Sequence, residues 1–182
     1  MFRALDNRFG HYLLLAGAMA LLTLPNLGAH SLWDIDEGRN AEAAREMLEG
    51  GTWVTPTFNF ELRSAKPVLL YWCQILSYRA FGVNEFGARF PSAVAATLTV
   101  LLLYELGRRM FGARTGLLAG LALASCFEFC ILAHAATPDA LLLLFTVLTF
   151  LLFWVFAAGG GRAWFVPVGA AAGLAVLTKG PV

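Results

Sequence analysis

Charged residues are scarce in this chain. Only 14% of its 182 residues are Asp, Glu, Lys or Arg, whereas soluble globular domains carry about 25%. The mean hydropathy is +0.69. These values exclude an ordinary soluble domain and predict an all-α, polytopic bundle of membrane helices. The net charge of +1 and the lack of a basic run also argue against a nucleic-acid partner.

Cysteine is also rare: the chain contains only Cys73, Cys126 and Cys130. Cys126 and Cys130 are four residues apart and would share one face of a helix. No His or Cys lies near them at the spacing of a zinc site. We interpret all three as small buried hydrophobic residues and expect no metal ligand among them.

Five apolar segments approach the roughly 20 residues that a helix needs to cross a bilayer. The second and fifth are short, so their boundaries are approximate. The five predicted spans are about Phe9–Leu27, Pro91–Leu106, Thr115–Ala133, Ala140–Ala158 and Ala163–Leu177.

Arginines lie at alternate ends of these spans, which predicts the orientation of the protein. The arginines that mark one face are Arg3, Arg8, Arg108, Arg109, Arg114 and Arg162. Because positive residues favour the cytoplasmic side, the amino terminus is predicted to be cytoplasmic in the inner membrane. Residues 28–90, Thr137-Pro138-Asp139 and Lys179 would then face the periplasm or exterior.

The first apolar segment has a second interpretation. A basic start, an apolar core from Leu13 to Leu24 and the small residues Gly28-Ala29 also resemble a cleaved signal peptide. Leu27 in the −3 position is unfavourable for cleavage, so a membrane span is the preferred interpretation.

The segment from Trp33 to Trp53 is where we expect the chemistry. Its residues Asp34–Glu49 hold 8 of the 25 charged residues and 6 of the 12 acids. The pattern predicts a surface helix over Glu37–Leu48, with an N-cap at Asp36 and a stop at Gly50-Gly51. Its apolar face comprises Ala41, Ala44, Met47 and Leu48.

A second short helix is predicted over Pro67–Phe81 in the same outer loop. It is aromatic but too short for a full span, and Gln74 and Arg79 interrupt it. We expect it to lie at the membrane interface, with Tyr71 and Trp72 at the level of the lipid headgroups.

Three acids are candidates for catalysis. Asp36 and Glu37, at the start of the acidic helix, could accept a proton from a substrate hydroxyl, and Asp139 opens the fourth span on the same face. Each also has an ordinary structural explanation, because acids stabilise helix N-termini. Thr137 as an N-cap with Pro138 at the first helical position would fit that explanation.

Three cations on the same face could hold a phosphate: Arg39, Lys66 and Lys179. The two lysines could equally be span-end residues whose ammonium groups reach the interface. Glu128, two turns inside the third span, is the remaining odd charge. It should face protein or water because a charge in the bilayer is costly.

Five segments in register resemble a known family. In order they are DEGRNAEAAREMLEGGTWVTP, KPVLLYW, FGVNEFGARFPSAVAATLTVLLLYELGRRMFG, ATPDALL and LAVLTKGP. Together they resemble the N-terminal half of the integral-membrane glycosyltransferases of the GT-C superfamily. The branch is that of the lipid A aminoarabinose transferases and the protein O-mannosyltransferase-like enzymes. The resemblance runs from about Leu32 to Val182.

This resemblance implies transfer of a sugar from a polyprenyl-phosphate donor to a lipid or protein acceptor at the outer face of the membrane. It implies catalytic or substrate-orienting roles for Asp36 and Asp139. Glu37 and Arg39 belong to the same motif as Asp36 and are assigned to substrate binding. Lys66 would lie near the donor phosphate, and Lys179 would help to stabilise it.

Two departures from the family pattern matter. Ala65 replaces an acid that can contribute to a metal site, and Val68 replaces a second proline, so a bound divalent metal is doubtful. Family members also continue well beyond the length of this chain, so we expect it to be truncated, with residues 1–182 forming only the N-terminal membrane part. The alternative is a non-catalytic membrane protein that binds polyprenyl lipid; a transporter has little support because no inverted repeat is evident.

Overall fold

The computed structural model describes residues 8–180. The predictions that involve Arg3, Pro181 and Val182 concern residues outside this range. Eight α-helices account for most of the described chain: α1 (Arg8–Thr23), α2 (Ile35–Glu49), α3 (Leu69–Phe81), α4 (Glu85–Phe111), α5 (Ala113–Ala124), α6 (Phe127–His134), α7 (Asp139–Val155) and α8 (Phe165–Lys179). A two-residue antiparallel pair, β1 (Thr57–Phe58) with β2 (Glu61–Leu62), lies between α2 and α3. The all-α prediction is confirmed.

Helix α4 is the central element of the bundle. It packs against α1, α3, α5, α6 and α7, and α7 packs in turn against α8. The Asn84 side chain caps its start by accepting a hydrogen bond from the Gly87 amide at 2.7 Å. A glycine allows α5 to approach α4 closely: a Cβ placed on Gly116 of α5 would lie 2.5 Å from the Tyr104 carbonyl oxygen of α4.

Two helices in residues 8–180 have the length and apolar composition to cross a membrane. These are α4, with 27 residues, and Asp139–Gly160, in which α7 continues through a π-helical turn for 22 residues. Helices α1 and α8 occupy the first and fifth predicted spans but have only 16 and 15 residues.

The third predicted span is not continuous. Helices α5 and α6 meet at an angle of 65°, and Cys126 between them has extended backbone angles. Side chains at the bend bond to carbonyl groups at the end of α5: the Ser125 hydroxyl donates to the Ala122 carbonyl, and the Cys130 thiol to the Ala124 carbonyl. Such bonds compete with the regular helical ladder.

The bend also determines where Glu128 lies. The residue lies in the first turn of α6, and its side chain is exposed rather than enclosed within a straight span. An acid in the first turn of a helix is favoured by the helix dipole.

The two short helices predicted within residues 28–90 are present as α2 and α3, which pack against each other. Helix α2 begins before Asp36, with Asp34 at the N-cap position, so the predicted cap at Asp36 is wrong. Its predicted end is confirmed: Gly51 has a φ of +67°, and the Thr52 amide donates to the Met47 carbonyl at 3.1 Å, which is a glycine-terminated helix end.

Two side chains of this loop are more buried than the sequence suggested. Tyr71 was expected at the headgroup level but is fully buried. Glu46, one of the acids of α2, is also buried, and it accepts hydrogen bonds from the Thr57 hydroxyl and the Phe60 amide. The β1–β2 turn, which has no periodicity to predict it, covers this part of α2.

Candidate active site

Four of the predicted site residues form two acid–lysine pairs. Lys66 Nζ lies 4.0 Å from Asp36 Oδ2, and Lys179 Nζ lies 2.5 Å from Asp139 Oδ1. All four side chains are partly exposed, so a ligand can reach them. We call Asp36, Lys66, Asp139 and Lys179 the acid–lysine site.

The pairing of Asp139 with Lys179 follows from the helices that carry them. Asp139 is the first residue of α7 and Lys179 the last residue of α8. The two helices pack together and are joined by the short turns of residues 156–164. The start of one therefore meets the end of the other. Each charge also suits its helix end, since acids are favoured at N-termini and cations at C-termini.

Thr137 does not act as the cap that the sequence suggested. Pro138 occupies the N-cap position of α7, and the buried Thr137 hydroxyl has no hydrogen-bond partner in residues 8–180. The start of α7 is instead held through the preceding turn by α2.

Glu37 makes that connection. Its carboxylate is fully buried and accepts two hydrogen bonds from Arg89, each 3.0 Å long. It also accepts from the Ala136 amide at 2.7 Å and the Trp33 amide at 3.2 Å. One carboxylate therefore joins the start of α2, the start of α4 and the turn before α7.

The ionised form of Glu37 is the stable one in this environment. Burial opposes ionisation, but the hydrogen bonds and charge of Arg89 and the Ala136 amide outweigh it. The pKa of Glu37 is consequently lowered from its ordinary value. All four hydrogen bonds come from groups of the protein, so the geometry favours a positioning role for Glu37 over the direct substrate contact that we expected.

Arg89 uses its remaining N–H donors to hold the segment that precedes α2. It bonds the carbonyl oxygens of Leu27, His30 and Ser31 at 3.1, 2.8 and 3.0 Å. These carbonyls lie in the segment between α1 and α2, where no helical ladder would satisfy them. The guanidinium thus fixes the path by which the chain enters α2 and presents Asp36.

Asn40, one turn after Glu37, makes the second contact to the same turn. Its amide donates to the Ala136 carbonyl at 3.1 Å and its oxygen accepts from Arg63 at 3.2 Å. Arg63 also donates to the Tyr71 hydroxyl at 3.1 Å. Both backbone groups of Ala136 are therefore bonded by α2, so Asp36 and Asp139 lie on segments that are held together.

Arg39 is not drawn into this network. Its side chain is exposed and forms no ion pair with any residue of the described chain. Its predicted role in substrate binding stays a prediction.

Sequence reasoning missed Arg89, Asn40 and Arg63. A signal existed for the first two. Arg89 is a charged residue at the start of an apolar span, which is usually functional or paired. Asn40 and Glu37 fall on the same helical stripe as Ala41 and Ala44, which places polar groups on the buried face.

Residues 8–180 contain no cluster of side chains suited to bind a divalent metal. No group of three His, Cys, Asp or Glu side chains comes together there, and Ala65 beside Lys66 offers no ligand atom. The described residues do not fit such an ion by themselves. The doubt about a metal stays a prediction.

The fold is that of a membrane glycosyltransferase of the GT-C type. It is similar to the crystal structure of ArnT from Cupriavidus metallidurans bound to undecaprenyl phosphate, with a TM-score of 0.86 and 31% sequence identity. The similarity covers 95% of this chain and 33% of that one.

The chain belongs to the dolichyl-phosphate-mannose-protein mannosyltransferase family, whose pattern matches residues 65–182. It is 37% identical over 171 residues to an uncharacterized protein of Aquifex aeolicus, covering 93% of this chain and 34% of the relative. It is 35% identical over 172 residues to the undecaprenyl phosphate-alpha-4-amino-4-deoxy-L-arabinose arabinosyl transferase of an Enterobacter species, covering 92% and 31%. The chain thus spans about a third of the length of these curated relatives. The predicted resemblance is confirmed.

Proposed function

We propose that the protein containing this chain transfers a glycosyl group from a polyprenyl-phosphate-linked sugar to a lipid or protein acceptor. The observation that carries the proposal is the acid–lysine site, in which two carboxylates and two ammonium groups are held at one end of the family's helical bundle. The similar Cupriavidus protein was crystallised with undecaprenyl phosphate, which supports a polyprenyl-phosphate donor.

The reaction needs two kinds of group. A bond forms between the acceptor oxygen and the anomeric carbon of the sugar, while the bond from that carbon to the phosphate oxygen breaks. The acceptor hydroxyl loses a proton, which a carboxylate at Asp36 or Asp139 can accept. The polyprenyl phosphate leaves with negative charge, which ammonium groups at Lys66 and Lys179 can stabilise. Arg39 is assigned to the same phosphate.

An apolar groove suits the lipid tail of the donor. It lies between α3, α4 and α7 and has a volume of about 480 Å³. Its lining includes Leu76, Val94, Leu98 and Leu141. Because Leu141 follows Asp139 on α7 by two residues, the groove lies near the acid–lysine site, and a prenyl chain could occupy it while the phosphate meets the lysines.

The names of the relatives make undecaprenyl-phosphate-linked 4-amino-4-deoxy-L-arabinose the first donor to test. A lipid acceptor in the cell envelope goes with it, as in lipid A modification. We place the protein in the inner membrane as a multi-pass protein with a cytoplasmic amino terminus. The acid–lysine site then faces the periplasm or exterior. The proposal requires no divalent metal.

The test uses the product of the complete reading frame that contains this chain, in membranes supplied with that donor and a lipid A acceptor. Asp36→Asn and Asp139→Asn should each lower transfer by about 10²–10⁴-fold, the usual contribution of general acid–base catalysis. Glu49→Gln is the matched control, since Glu49 is an exposed acid paired only with Arg45 among the described residues. Membrane insertion should be unchanged in all three variants.

The alternative is a membrane protein that binds polyprenyl lipid without turnover. It predicts retention of undecaprenyl phosphate but no transfer by the unmodified protein with any polyprenyl-phosphate sugar. Normal transfer by both Asn variants would remove Asp36 and Asp139 from the proposed chemistry.

A further inference from the structure

A second cluster of charge lies far from the acid–lysine site and has no part in the proposed reaction. It is centred on Glu105 of α4, sixteen residues after Arg89. At 1.5 Å per residue this places it roughly 24 Å along the helix from the Glu37–Arg89 pair. Arg8, at the start of α1, reaches Glu105 with Nη2 at 3.2 Å, so the start of α1 and the end of α4 lie at the same end of the bundle.

Three arginines share this one buried carboxylate. Besides Arg8, Arg108 donates to both oxygens of Glu105 at 2.9 and 2.7 Å, and Arg109 donates at 2.7 Å. The Tyr12 hydroxyl adds a further bond at 2.7 Å. We call Arg8, Arg108 and Arg109 the arginine cluster.

The arginine cluster has unused binding capacity. A guanidinium carries five N–H donors, and Glu105 uses one or two from each arginine. Glu105 offsets only one of the three positive charges of the cluster. The side chains of Arg8 and Arg109 remain 58% and 41% exposed. Glu105 meanwhile fixes the guanidiniums beside one another, which favours binding of an anion with several oxygen atoms.

The surroundings indicate that this anion is carried by a lipid. Phe9 follows Arg8 on α1, and Phe111 lies two residues after Arg109 on α4; each is 68% exposed. The long helix α4, apolar enough to cross a bilayer, ends at Phe111, which places the arginines at the depth of phosphate headgroups. Exposed aromatic rings next to guanidiniums can contact acyl chains while the guanidiniums bind the headgroup.

We propose that the arginine cluster is a binding site for the phosphate of an anionic phospholipid. The site is independent of glycosyl transfer. It requires the specific arrangement around Glu105 and not merely positive charge on this face of the protein.

The chain offers a matched control for this distinction. Arg162 is another exposed arginine, in the turn after α7. That turn follows the end of a helix that begins at Asp139, so it also lies away from the acid–lysine site. Arg162 forms no ion pair within the part of the chain that the structure describes.

The experiment measures the association of spin-labelled phosphatidylglycerol and phosphatidylcholine with the full protein in phosphatidylcholine vesicles. Arg8→Gln and Arg109→Gln should each reduce the preference for phosphatidylglycerol about fivefold, which corresponds to ~1 kcal/mol for a basic residue at an anionic surface. Arg162→Gln should leave that preference unchanged. If Arg8→Gln does not fold, Arg109→Gln carries the test, because its ion-pair partner among the described residues is on the same helix.

Two results would overturn the proposal. Equal losses in Arg109→Gln and Arg162→Gln would mean that only the general charge of this face matters. Displacement of bound label by inorganic phosphate, with no preference for phosphatidylglycerol over phosphatidylcholine, would assign the cluster to a soluble anion instead of a lipid.

Discussion

Arg89 and Glu37 form a bidentate ion pair inside the protein, 52 residues apart in sequence, with both bonds 3.0 Å long. Neither residue reaches the surface. The pair links α2, which carries Asp36, to the central helix α4. Glu37 also bonds the turn that leads to Asp139. This buried pair therefore holds together the segments that carry the acid–lysine site.

Breaking this pair should destabilise the protein strongly. Glu37→Gln leaves Arg89 buried without its counter-charge, which typically costs about 3–5 kcal/mol. We expect a marked fall in the unfolding temperature of the protein in detergent. Arg89→Lys is the informative second variant, since it keeps the charge but cannot reproduce the fork of bonds. A Glu37→Gln protein as stable as the original would contradict the anchoring role.

The same pair gives a pH dependence. Because the pKa of Glu37 is lowered in the folded protein, its contribution to stability is fully present above the ordinary glutamate pKa of about 4.3. That contribution is lost as the pH falls through the lowered folded value. Unfolding measured from pH 7 downward should show a loss of stability below about pH 4.3 that is smaller in Glu37→Gln. Identical acid profiles for the two proteins would show that Glu37 is not the group responsible.

The packing of α5 on α4 supplies a separate prediction. Gly116→Ala would place a Cβ 2.5 Å from the Tyr104 carbonyl and 2.6 Å from the Arg108 amide, both backbone atoms that cannot move aside easily. Overpacking of this kind usually costs about 1–3 kcal/mol.

Gly169→Ala in α8 is the control for Gly116→Ala. A Cβ there meets nothing within 4 Å, and alanine is the better helix former. We expect a lower unfolding temperature for Gly116→Ala and an equal or higher one for Gly169→Ala. Equal stability of the two variants would contradict the close contact between α4 and α5.

The fold was predictable wherever local pattern decides it. Apolar periodicity located the interfacial helix α2, and the glycine pair marked its end, because both signals act within a few residues. The bend at Cys126 was missed because α5 and α6 lie in one mainly apolar segment. Ser125 and Glu128 are isolated polar residues there, and no glycine or proline between Leu121 and His134 marks a break.

Burial within the outer loop was less predictable. Glu46 and Glu49 have the same charge and lie on the same helix, yet only Glu46 meets the β1–β2 turn. Likewise, Asp139 and Lys179 are 40 residues apart, and their pairing depends on how α7 and α8 pack. Such contacts follow from tertiary structure, so the sequence could suggest the residues but not their partners.

Donor binding and sugar transfer can be measured separately in the complete protein, and they should depend on different residues of the acid–lysine site. Undecaprenyl phosphate retained by the purified protein would be measured for Lys66→Gln and Lys179→Gln and for Asp36→Asn and Asp139→Asn. We expect about tenfold weaker retention in the lysine variants, since a hydrogen bond to a charged group contributes about 1.5–3 kcal/mol. The acid variants should retain the lipid but fail to transfer sugar. Full retention and normal transfer by the lysine variants would contradict the assignment of the acid–lysine site.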